Sequence, residues 1–380
     1  MHSALPQVNS ELAKGKGRGD GWRSSKRART TGKGVGGVVG VAALIWLLYV
    51  LGGWVWGERV YYRGGVWNGA ETIEVSSSPI IVPAISQIAE YRTSQYVTAK
   101  DGRTVSSPRH SVVYGGGESP ELVLVMGIDD SFPPEYLEAV IADRKAYAER
   151  HGYGLYVRYL KDFATLSPQG DSYNFDFSKV MLLREAAFAF KHAKWLWWLD
   201  QDAIIMNHAY SVARELLDPA QLNDKMLRDA PVIPPESIIH TYKRVPAGQI
   251  KFVLTQNDRG VSAASFLLRN DQMYGNVFLN YWCDPLHRSY PGFVAQGPFG
   301  RLEASLTHMV QWHPAILSRM AVVPHKYLGA RLEDGNVLKG QKYENGDFVL
   351  LVRPPNEEQA PPSNQIADEW NKQKAKRDNP

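Results

Sequence analysis

The 380-residue chain has a single cysteine, Cys283, so no disulfide can form within it and its stability must come from packing. It also lacks any Asn-x-Ser/Thr acceptor, any internal repeat and any histidine beyond His325. The missing disulfide and the missing glycosylation acceptor are compatible with a domain inside a secretory organelle without favouring one. The last removes imidazole, a common divalent-metal ligand, from everything that follows. Charge is modest, at 22% of residues against 44% hydrophobic, which excludes a disordered chain and leaves core enough for one large domain or two small ones.

The net charge of +4 is not spread evenly. Lys14, Lys16, Arg18, Arg23, Lys26, Arg27, Arg29 and Lys33 crowd the N-terminus, opposed only by Glu11 and Asp20. From Gly34 to Gly57 there is no charge at all. As a helix these residues reach about 36 Å, enough to cross a hydrocarbon layer of about 30 Å with some tilt. Trp54, Trp56, Tyr61 and Tyr62 would mark the far interface. A cleaved signal peptide fits less well, because the basic leader is long and no small-x-small cleavage site is obvious. The basic side stays in the cytosol by the positive-inside rule, giving a single-pass type II anchor with the remainder lumenal. That accounts for the basic leader without invoking nucleic acid.

Five regions are expected: a cytosolic tail (1–33), a transmembrane signal anchor (34–57), a stem (58–119), a catalytic domain (120–353) and a C-terminal tail (354–380). Ser- and Pro-rich turns and Gly115-Gly116-Gly117 mark the stem, although the apolar stretch at Ile80–Ile85 suits packing on the domain. The tail is Pro-rich and then charged, which reads as poorly packed. Between them strands alternate with helices. The strands are Leu122–Met126, Leu155–Arg158 and Trp195–Leu199, then Lys251–Leu254 and Ala264–Arg269. The helices are Pro134–His151, Phe177–Ala193, Met273–Trp282 and Leu302–Trp312, the second with Val180, Leu182, Leu183, Ala186, Phe188 and Ala189 on its apolar side. Such alternation implies an α/β, Rossmann-like, mostly parallel sheet with ligands at the carboxyl ends of its strands. Pro231, Pro234, Pro235 and Pro246 make 229–248 a long loop near that end.

The most informative segment is Trp195 to Asn207, an aromatic strand that runs into Asp200-Gln201-Asp202. In an extended chain side chains alternate, so both carboxylates point the same way. Two hard oxygen donors on one side suit Mn2+ or Mg2+ carrying a diphosphate. This is the pattern of a nucleotide-sugar glycosyltransferase, and the enzymatic reading requires that the pair not be salt-bridged deep in the interior with no cavity beside it. A bare Asp-x-Asp is weak, since a solvated turn gives the same letters; this one stands alone in the chain and at a strand end.

With the flanking segments the pattern becomes specific. Arg144–Tyr153, Ser178-Lys179, Trp195–Asn207, Pro231–Tyr242, Ser265–Arg269, Gln311–Pro314 and Gly346–Val349 together resemble glycosyltransferase family 34. That family comprises fungal galactosyl- and α-1,6-mannosyltransferases, with plant xylosyltransferases as relatives. The resemblance spans about Val123 to Val352 and is strongest to Golgi α-1,6-mannosyltransferase subunits of the mannan polymerase complex. It implies a GT-A fold, a nucleotide-sugar donor, a divalent metal and retention of anomeric configuration.

Two departures touch the chemistry. Family members carry a metal-binding histidine shortly after Gly-Asp-Phe; here Leu351 falls at that place, leaving water, diphosphate or a group such as His325 to fill it. A glutamine assigned to catalysis is replaced by Glu303. The resemblance and the strand-end placement together nominate Asp200 and Asp202 for metal and diphosphate, with Lys179 and Asn257 on the donor. Gln256 and Glu303 are the catalytic candidates. Asp129 and Asp130 are weaker base-side candidates, Asp258 accompanies Asn257, and His313 reads as structural. A lysine on a helix face or an amide in a turn explains several of these without function.

The expected activity is α-1,6-mannosyl transfer from GDP-mannose onto N-glycan mannan, within a hetero-oligomer of mannosyltransferase subunits in the Golgi membrane. Two alternatives remain open: a weakly active or non-catalytic structural subunit, and an α-galactosyltransferase using UDP-galactose.

Overall fold

The computed structural model describes residues 71–75, 79–82, 96–98, 104–106, 110–114, 120–160, 162–163, 177–290, 293, 300–354 and 361–379. All fall within one unit, Trp67–Pro380. The basic leader and the apolar segment 34–57 lie outside the described residues. Among those described, no helix is long and apolar enough to cross a membrane.

A seven-stranded mixed sheet organises the fold. Its strands in chain order are β1 (Ile80–Ile81), β2 (Leu122–Ile128), β3 (Gly154–Tyr159), β4 (Trp195–Leu199), β6 (Phe252–Asn257), β7 (Gly260–Arg269) and β8 (Met320–Val322), with β5 (Ala203–Ile205) set apart in a second sheet. The spatial order is β8-β6-β7-β4-β2-β3-β1. Every neighbouring pair is parallel except the two made by β7, which runs against β4 and β6. The mostly parallel sheet expected from the alternation is therefore present, with one reversed strand. β1 pairs with Leu155 and Tyr156, so the Ile80 stretch does pack on the domain. Elsewhere before residue 115, Glu71–Val75 pairs in parallel with His110–Tyr114, and Tyr96–Thr98 antiparallel with Thr104–Ser106.

Strand β4 shows why the sheet is central. All five residues of Trp-Leu-Trp-Trp-Leu are buried. Trp195, Trp197 and Leu199 face one core, Leu196 and Trp198 the other. Apolar residues on both faces are what a strand covered on both sides requires. Helix α1 (Pro134–His151) covers the first face, where Tyr147 meets Trp197 edge-on. It ends at Gly152, whose φ of 66° is a left-handed cap that a glycine adopts without strain. Helix α2 (Ser178–Ala189) covers the second face through Val180, Leu182, Leu183 and Ala186, and helix α3 (Gly275–Trp282) adds Phe278, Leu279 and Trp282 to the same core. Phe188 departs from the expected apolar side and is 61% exposed.

The second sheet has the order β9 (Ala330–Arg331), β10 (Val349–Leu351), β5, with Leu351 opposite Ala203. The C-terminal segment is not the loosely packed tail its composition suggests. Helix α5 (Ser363–Asp378) buries Ile366, Ala367 and Trp370 against the first core. Only one narrow stripe is apolar, so the flanking lysines and prolines dominate a reading by composition.

Helix α5 is also tied electrostatically. Arg377 Nη1 donates to Asp143 Oδ1 (2.7 Å) and to the Ile205 carbonyl (2.8 Å), and His208 Nε2 lies 3.2 Å from the same carboxylate. Burial by itself would raise the Asp143 carboxyl, but the His208 hydrogen bond and the charges of Arg144 and Arg377 overcome it and hold it at about 2. A carboxyl depressed below its unfolded value stabilises the fold above that value and loses the contribution as pH falls through the folded one. The loss should amount to about 2 kcal/mol between roughly pH 4 and pH 2. Urea midpoints of wild type and Asp143→Asn should therefore converge as pH falls across that window; parallel profiles would remove this carboxylate from the acid response.

Candidate active site

The carboxyl ends of β2, β4 and β6 share one edge of the sheet, and the acidic segment lies there. After Leu199 the backbone turns: Asp200 N donates to the Ala264 carbonyl of β7 (2.9 Å), and Ala203 N donates back to Asp200 O (3.1 Å). Asp200 and Asp202 therefore approach one another through a turn, not through the strand alternation expected from the sequence.

Neither carboxylate is unaccompanied. Asp200 Oδ1 accepts from Trp198 Nε1 (2.7 Å) and lies 2.7 Å from Lys179 Nζ, which also donates to Asp200 Oδ2 (2.9 Å). Lys179, on the first turn of α2, is 1% exposed and donates further to the Ala263 carbonyl (3.2 Å). Asp202 Oδ2 accepts from Arg353 Nε at 2.6 Å. Both carboxylates are thus buried and salt-bridged, against the condition set by the sequence reading, and only Arg353, 23% exposed against 4% for the Asp202 side chain, opens the second pair to solvent. Burial pushes the Asp200 carboxyl up, opposed by Lys179 and reinforced by the Asp202 charge. Burial works against the Arg353 charge, yet the neighbouring Asp202 leaves that guanidinium above its ordinary value.

A second wall comes from helix α4 (Gly300–Trp312) laid on the β6–β7 hairpin. Residues four apart share a helix face, so Thr307 and Glu303 meet the hairpin together. Thr307 Oγ1 accepts from Val261 N (3.2 Å), and a Cβ on Gly260 would sit 2.4 Å from the same oxygen, so the close approach requires glycine. One turn earlier, Glu303 accepts from Ala263 N (2.7 Å), Asn257 Nδ2 (2.8 Å) and Ser262 Oγ (3.4 Å). Ala263 thus touches Lys179 through its carbonyl and Glu303 through its amide, joining the two walls.

Lys179, Asp200, Asp202, Asn257 and Glu303 are therefore brought together. Gln256 leans away, its Nε2 donating to the Pro231 and Val232 carbonyls (2.6 and 3.2 Å), which ties the proline-rich loop to this edge. Asp258 accepts from Asn336 N and Leu338 N and holds a turn. Asp129 stands at the end of β2, where its amide donates to Gln201 Oε1 (2.8 Å). His313 Nε2 is 2.6 Å from Tyr281 Oη, the structural use expected of it.

Sequence reasoning missed two arginines. Arg353 follows Leu351 by two residues, and the signal available was a cation ending an apolar strand next to Pro354. Arg331 is 8% exposed, with Glu303, Asp202, Asp258 and Asp200 as the nearby charges that oppose the effect of burial. Its Nε has no hydrogen-bond partner.

The donor set does not fit a divalent metal. Asp200 and Asp202 are each matched by a side-chain cation, Glu303 is committed to three hydrogen bonds and Asp258 to two backbone amides, and Arg331 adds a positive charge among them. A dication prefers six or more oxygen ligands and an excess of negative charge. Leu351, at the place expected for the histidine, is buried and has no donor atom. His325 does not substitute for it: its Nε2 is 2.8 Å from the Gln256 carbonyl, and burial lowers its basicity. Among the described residues no group of three or more His, Cys, Asp or Glu is arranged to hold a metal ion.

A mixed α/β sheet of this kind takes its ligands at the carboxyl ends of its parallel strands, where these paired acids and cations lie. Residues 118–358 match the galactosyl transferase GMA12/MNN10 family, and the chain belongs to that family. It is 32% identical over 236 residues to the "Probable alpha-1,6-mannosyltransferase MNN11" of Saccharomyces cerevisiae, covering 60% of this chain and 55% of that protein. It is 28% identical over 242 residues to the "Uncharacterized alpha-1,2-galactosyltransferase C1289.13c" of Schizosaccharomyces pombe, covering 61% of each. The chain thus spans a little over half the length of these relatives. Among solved structures, a glycosyltransferase involved in glycosylation of the major capsid of PBCV-1 is similar with TM-score 0.43 and 13% identity, over 67% of this chain and all of that one.

Proposed function

We propose that the chain is a retaining α-1,6-mannosyltransferase of GT-A type that takes GDP-mannose and extends N-glycan mannan. The observation that carries this reading is the 32% identity to a relative named for that activity, over the segment that contains the acidic turn. In it the donor diphosphate lies at Asp200 and Asp202, with Lys179 and Asn257 beside it. Glu303 frames the sugar and acceptor side and positions Ala263 and Asn257, whereas Gln256, expected to be catalytic, is turned to the Pro231 and Val232 carbonyls and anchors the proline-rich loop. A lumenal Golgi domain held by residues 34–57, assembled with other mannosyltransferase subunits, belongs to the same reading. Mn2+ or Mg2+ is the cofactor the family resemblance implies. Because the donor set here is incomplete, no step is assigned to it.

The glycosidic bond to the diphosphate lengthens into an oxocarbenium-like state, and the site must stabilise charge on the leaving group. The acceptor hydroxyl then attacks from the face the diphosphate leaves, which preserves configuration. One competing reading is favoured by a particular observation. Leu351 lacks a donor atom and Glu303 is spent on three hydrogen bonds, as suits a structural subunit with little activity of its own.

A donor screen on the purified full chain tests these readings. With an α-mannoside acceptor, incorporation from GDP-mannose should exceed that from UDP-galactose by about a hundredfold, the discrimination that polar contacts to one sugar supply. Preference for UDP-galactose would make it an α-galactosyltransferase. Binding of GDP-mannose without transfer from either donor would leave the structural subunit.

A further inference from the structure

The donor reading above leaves the diphosphate charge to be balanced, and this inference rests on that reading. Strand β10 pairs Leu351 with Ala203, which brings residues 351–353 alongside the acidic turn. Leu351 contributes no ligand atom there. Two residues on, Arg353 does reach the turn, its Nε 2.6 Å from Asp202 Oδ2. The guanidinium is the more exposed partner, 23% against 4%, so it lies between the carboxylate and solvent. An incoming anion meets a fixed cation there, not a carboxylate that needs a metal to bridge it. Arg331 adds a buried guanidinium that donates from Nη1 to the Arg353 carbonyl (3.1 Å) among the charges of Glu303, Asp202, Asp258 and Asp200, with its own Nε–H left without an acceptor. Lys179 neutralises Asp200 from below, so that neither carboxylate repels an incoming phosphate unopposed.

We propose that this chain holds the diphosphate of its donor with Arg353 and Arg331 and requires no divalent metal to do so. A planar guanidinium presents several donors in a fixed fork and can grip two phosphate oxygens at once. In transfer, the bond between the anomeric carbon and the diphosphate oxygen breaks with its electron pair leaving on that oxygen, beside these cations. The acceptor hydroxyl oxygen forms the new bond, and its proton passes to the departing diphosphate.

The test is calorimetric titration of the full chain, solubilised and stripped with chelator, with GDP and with UDP, each with and without added Mn2+. The Kd for the better nucleotide should change by less than about threefold on adding Mn2+, whereas Arg353→Ala should weaken it about thirtyfold or more in both conditions. Arg353→Lys, which keeps the charge but loses the fork, should stay within about tenfold of wild type and guards against a folding artefact. Mn2+ alone, followed by its electron paramagnetic resonance signal, should remain free in the presence of the chain. Nucleotide binding that appears only with Mn2+, or an Arg353→Ala chain that binds like wild type, overturns the inference and leaves the donor site standing. Binding of neither nucleotide under either condition overturns the donor site itself, and this inference with it.

Discussion

Trp370→Ala is expected to destabilise the domain by about 3–5 kcal/mol, the usual cost of emptying a large aromatic site in a core. Trp370 is fully buried, packs edge-on against Tyr136 at 5.5 Å between ring centroids, and donates from Nε1 to the Ala203 carbonyl at 2.9 Å. That carbonyl belongs to the residue after Asp202 and also accepts from the buried Arg144. The C-terminal helix therefore braces the acidic turn from behind, and the substitution should weaken donor binding as well as folding. Trp370→Phe keeps most of the packing and gives up one hydrogen bond, so it should cost only about 1–2 kcal/mol. Urea denaturation of the three chains checks the order. Little loss in Trp370→Ala would mean the helix docks without consequence for the core.

That helix also marks a limit of what the sequence made legible. Helix Pro134–His151 and strand Trp195–Leu199 were readable to the residue, because the first buries side chains at helical spacing up to Gly152 and the second is an unbroken apolar run that stops at Asp200. Ser363–Asp378 was not, because it buries one stripe within a lysine-rich segment behind prolines, and composition outweighs so narrow a signal. The candidate site divides along the same line. Asp200, Asp202 and Asn257 were named from residue type and strand-end placement, Lys179 from the helix before the site and Glu303 from the family resemblance, and the five do meet. Arg353 and Arg331 escaped because their position depends on Leu351 pairing with Ala203, a contact between segments far apart in the chain. No local period announces such a pairing. The turn at residues 200–203 was likewise hidden, since a strand end and a tight turn begin with the same letters.

Asp202→Asn carries the largest expected effect on activity. The carboxylate fixes Arg353 by a 2.6 Å contact; the amide keeps the shape but loses the charge that orients the guanidinium. Loss of one preorganised electrostatic contact at a site of developing charge lowers turnover by about 10²–10³. Some stability is lost too, on the order of 1–3 kcal/mol, less than for a sealed ion pair because Arg353 remains partly solvated. Activity must therefore be compared at equal folded fraction, read from tryptophan fluorescence, to which the buried Trp197 and Trp198 contribute.

The most direct measurement is single-turnover sugar transfer from labelled GDP-mannose by the wild-type full chain and by Asp202→Asn, side by side at matched folded fraction. The account predicts transfer by the wild type and a rate lower by about two orders of magnitude or more in the variant. Equal rates in the two proteins would contradict it, because the acidic turn would then have no part in handling the donor.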